Sequence, residues 1–217
     1  MSSSRITVLI SGNGTNLQAL IDACSTATIP NARIVRVISD RKAAYGLTRA
    51  AGAGIPTCYH NFIKYKKEED NVTRARETYD QALAEIVLED KPDLVVCAGW
   101  MRVLTPAFLD SVAGRGVPVI NLHPALPGQY NGTNAIGRAY EDFQHGKIDT
   151  TGVMIHYVIT EVDMGEPILV EEIGIRKGES LEELEQRIHQ IEWVTIVEGT
   201  SKALERLQQK KAPELET

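Results

Sequence analysis

The chain has 217 residues, 43% of them apolar and 24% charged, with a formal charge of −6. That composition fits an ordinary soluble globular protein, long enough to bury a real core in one domain. It holds no basic run or stripe for nucleic acid and no apolar stretch near the ~20 residues that span a bilayer, which argues against both partners. The apolar segment after Met1–Arg5 is too short for a signal-peptide core. Cys24, Cys58 and Cys97 are odd in number and widely spaced. They read as reduced thiols of a cytoplasmic protein, not as a disulfide framework or a zinc site.

In chain order, Ile6–Ile10 reads as a strand, Asn16–Ala27 as a helix and Arg33–Ile38 as a second strand. Ala44–Ala53 reads as a helix, Pro56–Tyr59 as a short strand, Lys67–Glu89 as one long polar helix and Asp93–Ala98 as a buried strand. Val117–Leu122 follows as a strand, with Pro118 tolerable only near its start. A helix spans Asn134–His145, and two β-rich runs, Gly152–Ile159 and Ile168–Ile173, flank the turn-like Asp163–Pro167, which predicts a hairpin. Ser180 and Glu183 form a capping box that opens a closing helix, with Leu184, Ile188, Ile191, Val194 and Val197 as its apolar stripe. From Gln208 onward the tail reads as frayed.

This alternation predicts an α/β fold: a doubly wound, mostly parallel sheet with helices on both faces and an antiparallel hairpin near the C-terminal third. Ligands in such sheets bind beyond the carboxyl ends of strands. The places to search are therefore Ser11–Asn16, Gly99–Leu104, Asn121–Gly132 and Thr160–Glu166.

Ser11-Gly-Asn-Gly-Thr-Asn16 turns the first strand into a helix. Two glycines permit a tight turn, and free N–H groups at a helix start attract an anion, phosphate above all. A dinucleotide site competes, but Leu17 stands where the third glycine belongs and Asp40 completes no clear ribose motif; a plain turn is the third reading. Asn121 and His123 lie two apart at a strand end, so both side chains face the same way. An amide beside an imidazole suits a carbonyl oxygen that gains negative charge; both equally satisfy turn backbone. Asp163 follows a later strand, where a carboxylate would raise a nearby imidazole's pKa or merely face solvent. His156, within a strand, reads first as structural, and a metal site of His123, His156 and Asp163 lacks the close ligand spacing of metal motifs. His189 and Glu192 occupy adjacent turns of the last helix, either as an exposed pair or with Glu192 reaching into a cleft. Trp100 and Met101 either wall a flat ligand or belong to the core.

With these segments laid out, residues 5–207 resemble the phosphoribosylglycinamide formyltransferases, a branch of the folate-dependent formyltransferases. The resemblance is carried by Ile10-Ser-Gly-Asn-Gly-Thr-Asn-Leu-Gln18, Ala98-Gly-Trp-Met-Arg-Val-Leu104, Asn121-Leu-His-Pro-Ala-Leu-Pro127 and Asp163-Met-Gly-Glu-Pro-Ile168. It implies that Gly14, Thr15 and Asn16 bind the phosphate of a ribonucleotide acceptor, with His189 and Glu192 meeting the rest of it. It implies that Met101, Arg102, Val103 and Leu104, with Asn121 and Ile159, Thr160, Glu161, Val162 and Asp163, line the site of 10-formyltetrahydrofolate, and that Arg76 contacts it. Asn121, His123 and Asp163 become the catalytic trio, His123 protonated and paired with Asp163, and His156 lies close by.

The cosubstrate is then formyl-folate, with no tightly bound cofactor and no metal. The partners are small molecules, without nucleic acid or membrane, and the protein is a monomer or weak homodimer. Residues 1–217 form one formyltransferase domain, with the phosphate loop in 1–100 and the folate and catalytic segments in 101–207. The loop after His123, Ala125–Gly132, is one residue shorter than the double-leucine form of other members, and Lys147-Ile-Asp149 departs from an acidic stretch. The rival readings are another folate formyltransferase, a formyl-folate hydrolase, a nicotinamide oxidoreductase and a non-catalytic binding module.

Overall fold

The computed structural model describes residues 3–211. Seven strands form a mixed sheet in the order β3-β2-β1-β4-β5-β6-β7, flanked by helices, and the chain divides into two compact units between Ile120 and Asn121, within β5.

In the first unit, β1 (Ser4–Ile10) is central because it is apolar on both sides, as a covered parallel strand must be: Ile6, Val8, Leu9 and Ile10 are all fully buried. It pairs in parallel with β2 (Ala32–Ser39) and β4 (Leu94–Cys97), and β2 with β3 (Thr57–Tyr59). Helix α1 (Thr15–Ser25) buries Leu17 and Leu20, and ends before Ala27, whose φ of 56° takes it out of the helix. Helix α2 spans Tyr45–Gly52.

The single helix expected over Lys67–Glu89 is two, α3 (Phe62–Glu68) and α4 (Val72–Glu89). Each starts on an asparagine. The Asn61 side chain accepts from the Ile63 N–H at 2.9 Å, and that of Asn71 from the Thr73 N–H at 2.7 Å, with Glu69 extended between them. Asparagine competes with the helix for backbone hydrogen bonds and so favours the cap. Helix α5 (Pro106–Ala113) has no counterpart among the expected elements, although Thr105-Pro106 is a start signal and Phe108, Leu109 and Val112 form its buried face. Pro118 precedes β5 (Val119–His123), and its carbonyl accepts from the Val95 N–H.

In the second unit, α6 (Ala135–Gln144) connects β5 to β6 (Thr150–Tyr157), which pairs antiparallel with β7 (Pro167–Gly174), the hairpin expected. Strand β6 stops at Tyr157, short of Ile159, which is exposed. Helix α7 (Leu181–Lys211) opens on the predicted capping box: the Ser180 N–H donates to the Glu183 carboxylate at 2.8 Å, and the Glu183 N–H to the Ser180 hydroxyl at 3.2 Å. The stripe of α7 differs from the one expected. Leu184, Ile188, Ile196 and Ala203 are buried, whereas Val194 is 59% exposed and Ile191 and Val197 lie at the margin. At about 100° per residue each step of three falls back 60°, so the run Ile188, Ile191, Val194, Val197 turns away from the face that buries Ile196 and Ala203. The helix also continues through Gln208 to Lys211; the rest of the expected frayed tail lies outside the described residues.

Candidate active site

Two groups of residues stand at the carboxyl ends of strands, one in each unit. In the first, Gly14 caps α1 with φ of 77°, a left-handed conformation that glycine adopts without strain. A Cβ there would meet the Gly46 Cα at 2.7 Å, so α2 leaves the loop no room for another residue. Arg49 of α2 holds the loop from outside, donating from Nε to the Asn13 carbonyl and from Nη2 to the Asn13 side chain, each at 2.9 Å. No acidic side chain stands in the first turn of α1.

Ser11 ties this loop to the next strand end. Its N–H donates to the Gly99 carbonyl, and its hydroxyl accepts from the Met101 N–H at 2.9 Å. Trp100 is buried and belongs to the core, while Met101 is 64% exposed and Val103 is also exposed. Arg102 is half-buried, donating from Nε to Asp40 at 2.8 Å with its guanidinium over the rings of Phe62 and Tyr79. Arg76 of α4 donates to the Val103 carbonyl at 2.7 Å. Leu104 is buried, and the Asp80 carboxylate accepts from the Thr105 N–H at 2.7 Å behind it. Together these contacts hold from behind an apolar segment that presents Met101 and Val103 outward.

The second unit brings the trio together. His123 Nδ1 lies 3.3 Å from Asp163 Oδ2, and Asn121 Nδ2 donates to Asp163 Oδ1 at 3.4 Å. Asn121 and His123 project to one side of β5, as their spacing of two requires. His156 joins them from β6, with Nε2 at 3.3 Å from Asn121 Nδ2 and 3.4 Å from Asp163 Oδ1, and Nδ1 at 2.9 Å from the Tyr157 carbonyl. Asp163 is therefore no solvated turn residue: its side chain is 10% exposed. Its backbone is left-handed, with φ of 55°, a conformation that costs a non-glycine residue about 1 kcal/mol. Gly165 keeps the turn close, since a Cβ there would fall 1.7 Å from the Tyr157 carbonyl oxygen.

Burial is the largest single influence on both titratable groups. It pushes the His123 imidazole below its ordinary 6.5, outweighing the pull of Asp163 upward and the contact with the Gln129 carbonyl. This lowering favours the neutral ring in the resting protein, while both ring nitrogens face acceptors, the Asp163 carboxylate and the Gln129 carbonyl, as an imidazolium at the transfer step would use them. Burial also works against the Asp163 carboxylate, but His156, the Gly132 N–H and His123 together hold its pKa below the usual 3.8. Both pKa values are thus lowered, His123 by burial and Asp163 by its partners.

Three contributors have no signature in the sequence. The Gln129 carbonyl lies 3.4 Å from His123 Nε2, the Gly132 N–H donates to Asp163 Oδ2 at 2.8 Å, and Arg138 holds the backbone between them. Two act through main-chain atoms that any residue carries, so side-chain identity could not reveal them. On α7, Glu192 is buried while His189 is exposed, which removes the reading of an exposed pair. Ile159, Thr160, Glu161 and Val162 are all exposed ahead of Asp163. Among the described residues no group of three His, Cys, Asp or Glu side chains is arranged to hold a metal ion, and no helix is long and apolar enough to cross a membrane. All three cysteines are free, and burial pushes the Cys97 thiol up to about 12.

The chain matches the formyl transferase family over residues 4–200. It is an enzyme of that family. The phosphoribosylglycinamide formyltransferase of Schizosaccharomyces pombe is 50% identical over 195 residues, 89% of this chain and 94% of its own. That of Saccharomyces cerevisiae is 49% identical over 213 residues, 94% and 99% of the two chains. The crystal structure of phosphoribosylglycinamide formyltransferase from Bacillus Halodurans shares the fold with a TM-score of 0.80 at 29% identity, covering 93% of this chain and 95% of that one. The formyl transferase match includes both strand-end groups and reaches past Glu192 of α7.

Proposed function

We propose that this formyl transferase moves the formyl group of 10-formyltetrahydrofolate to the amine of glycinamide ribonucleotide, giving the N-formyl product and tetrahydrofolate in purine biosynthesis. The observation that carries this reading is the convergence of Asn121 and His123 on Asp163 at 3.3–3.4 Å, at the end of a strand, in a chain of this family.

In this reading the amine attacks the formyl carbon and forms a C–N bond, and the carbonyl oxygen becomes an oxyanion. The Asn121 amide donates to it. His123, protonated at this step and paired with Asp163, stabilises it as well, with Asp163 fixing the orientation of its ring. The attacking nitrogen loses a proton, the bond to the folate nitrogen breaks, and that nitrogen takes up a proton through water held by Asp163. Gly14, Thr15 and Asn16 hold the acceptor's phosphate at the start of α1, and His189 and Glu192 meet its ribose and amine region. Met101, Arg102, Val103 and Leu104, with Ile159, Thr160, Glu161 and Val162, line the folate site, and Arg76 supports it. The enzyme acts in the cytoplasm as a monomer or weak homodimer, on small molecules alone, and needs no metal or resident cofactor.

The test is to supply 10-formyltetrahydrofolate with and without glycinamide ribonucleotide and to follow loss of the formyl donor. Consumption that requires the ribonucleotide is expected. Consumption without it would make the protein a hydrolase, and none in either case a binding module.

A further inference from the structure

We propose that Arg138 is a positioning residue of the transfer reaction: it clamps Tyr130 and Asn131, and thereby sets the backbone on either side against His123 and Asp163. This rests on the assignment of Asn121, His123 and Asp163 to catalysis. Arg138 stands near the start of α6, and its Nη2 donates to the Tyr130 carbonyl and, at 2.8 Å, to the Asn131 carbonyl. The residue just before this pair supplies the carbonyl facing His123 Nε2, and the residue just after supplies the N–H that donates to Asp163 Oδ2. The clamp therefore sits between the two backbone contacts of the catalytic pair, one residue from each.

The segment needs such a clamp. Gly128, Tyr130, Gly132 and Asn134 all have φ between 50° and 84°, and two of them are not glycine. A chain bent this way keeps its shape only where its surroundings over-determine it. The Tyr130 ring lies under the Arg138 guanidinium at 5.7 Å, and its hydroxyl donates to Asp142, four residues on along α6, at 2.9 Å. Among the described residues Arg138 forms no ion pair. Its Nη2 goes to the loop instead, and its positive charge is felt by His123 together with Asp163 and His156.

The experiment compares Arg138→Met, Arg138→Lys, His123→Ala and the double variant Arg138→Met/His123→Ala. It measures kcat, KM for both substrates and the NMR titration of His123. Displacing a catalytic group by about 1 Å costs roughly 100-fold in rate, so Arg138→Met should lose ~10–100-fold in kcat with KM nearly unchanged. Arg138→Lys keeps the charge but not the reach. It should leave the His123 titration in place yet still turn over more slowly, whereas Arg138→Met moves that titration upward. On a His123→Ala background the Arg138 change should cost little more, because both act through one cluster. Full turnover in Arg138→Lys and Arg138→Met beside an inactive His123→Ala overturns the clamp alone, as does a loss confined to KM or one that adds fully to that of His123→Ala. A fully active His123→Ala protein instead overturns the catalytic assignment on which the clamp rests.

Discussion

The glycine loop of the first unit and the Asn–His–Asp cluster of the second solve opposite problems. The loop is shaped by backbone: its course depends on side chains that are missing, at Gly14 and Gly46. The cluster is made of side chains taken from β5, β6 and the turn after β6, where burial lowers the His123 pKa and neighbouring groups overcome burial to keep that of Asp163 low. A backbone site is spoiled by adding atoms, and a side-chain site by removing them. The first should therefore govern which acceptor binds, and the second how fast the formyl group moves.

The largest effect expected is on the cluster. Asn121→Ala, His123→Ala and Asp163→Ala should each keep the fold and lose about 10²–10³ or more in kcat, measured with both substrates saturating. A full-speed His123→Ala enzyme would remove the catalytic half of the contrast. Next comes the loop. Gly14→Ala combines a left-handed backbone with a Cβ 2.7 Å from the Gly46 Cα, and should destabilise the protein by ~1–3 kcal/mol while raising KM for the phosphorylated acceptor. Gly12→Ala meets nothing within 4 Å and serves as its control, so equal damage from the two would show that crowding is not what shapes the loop.

A subtler separation is by pH. The folded pKa of His123 lies below its ordinary 6.5, so folding favours the neutral ring. That stabilisation is complete above 6.5 and is lost as the pH falls toward the lower folded value. Asp163, also lowered, adds a second loss below 3.8. Urea midpoints should thus fall on acidification from about pH 7.5 to about 5.5, and less so in His123→Ala; an identical fall in both would take His123 out of the account. The smallest effect lies outside both sites, at the start of α7. Ser180→Ala removes a capping hydroxyl and should cost ~0.5–2 kcal/mol of stability with kcat unchanged.

Much of this was legible from local pattern. Ile6–Ile10 followed by Gly12 and Gly14 announces a strand and a tight turn, and Ser180 with Glu183 announces the start of α7, because each signal lies within a few residues of what it controls. The spacing of Asn121 and His123 also fixes their common direction. Other features escaped because they depend on competition or distance. The α3–α4 break turns on whether an asparagine caps or continues a helix, and the stripe of α7 on which face the sheet selects.

What the sequence by itself determined is the alternation of strands and helices, the glycine turn and the residue types able to stabilise an oxyanion. Family resemblance joined Asp163 to His123, and only the tertiary structure put a distance of 3.3 Å on that link. The tertiary structure also set the direction in which the His123 pKa moves. A carboxylate alone would raise its pKa, but the surrounding protein excludes water, and the cost of desolvating the imidazolium exceeds that attraction.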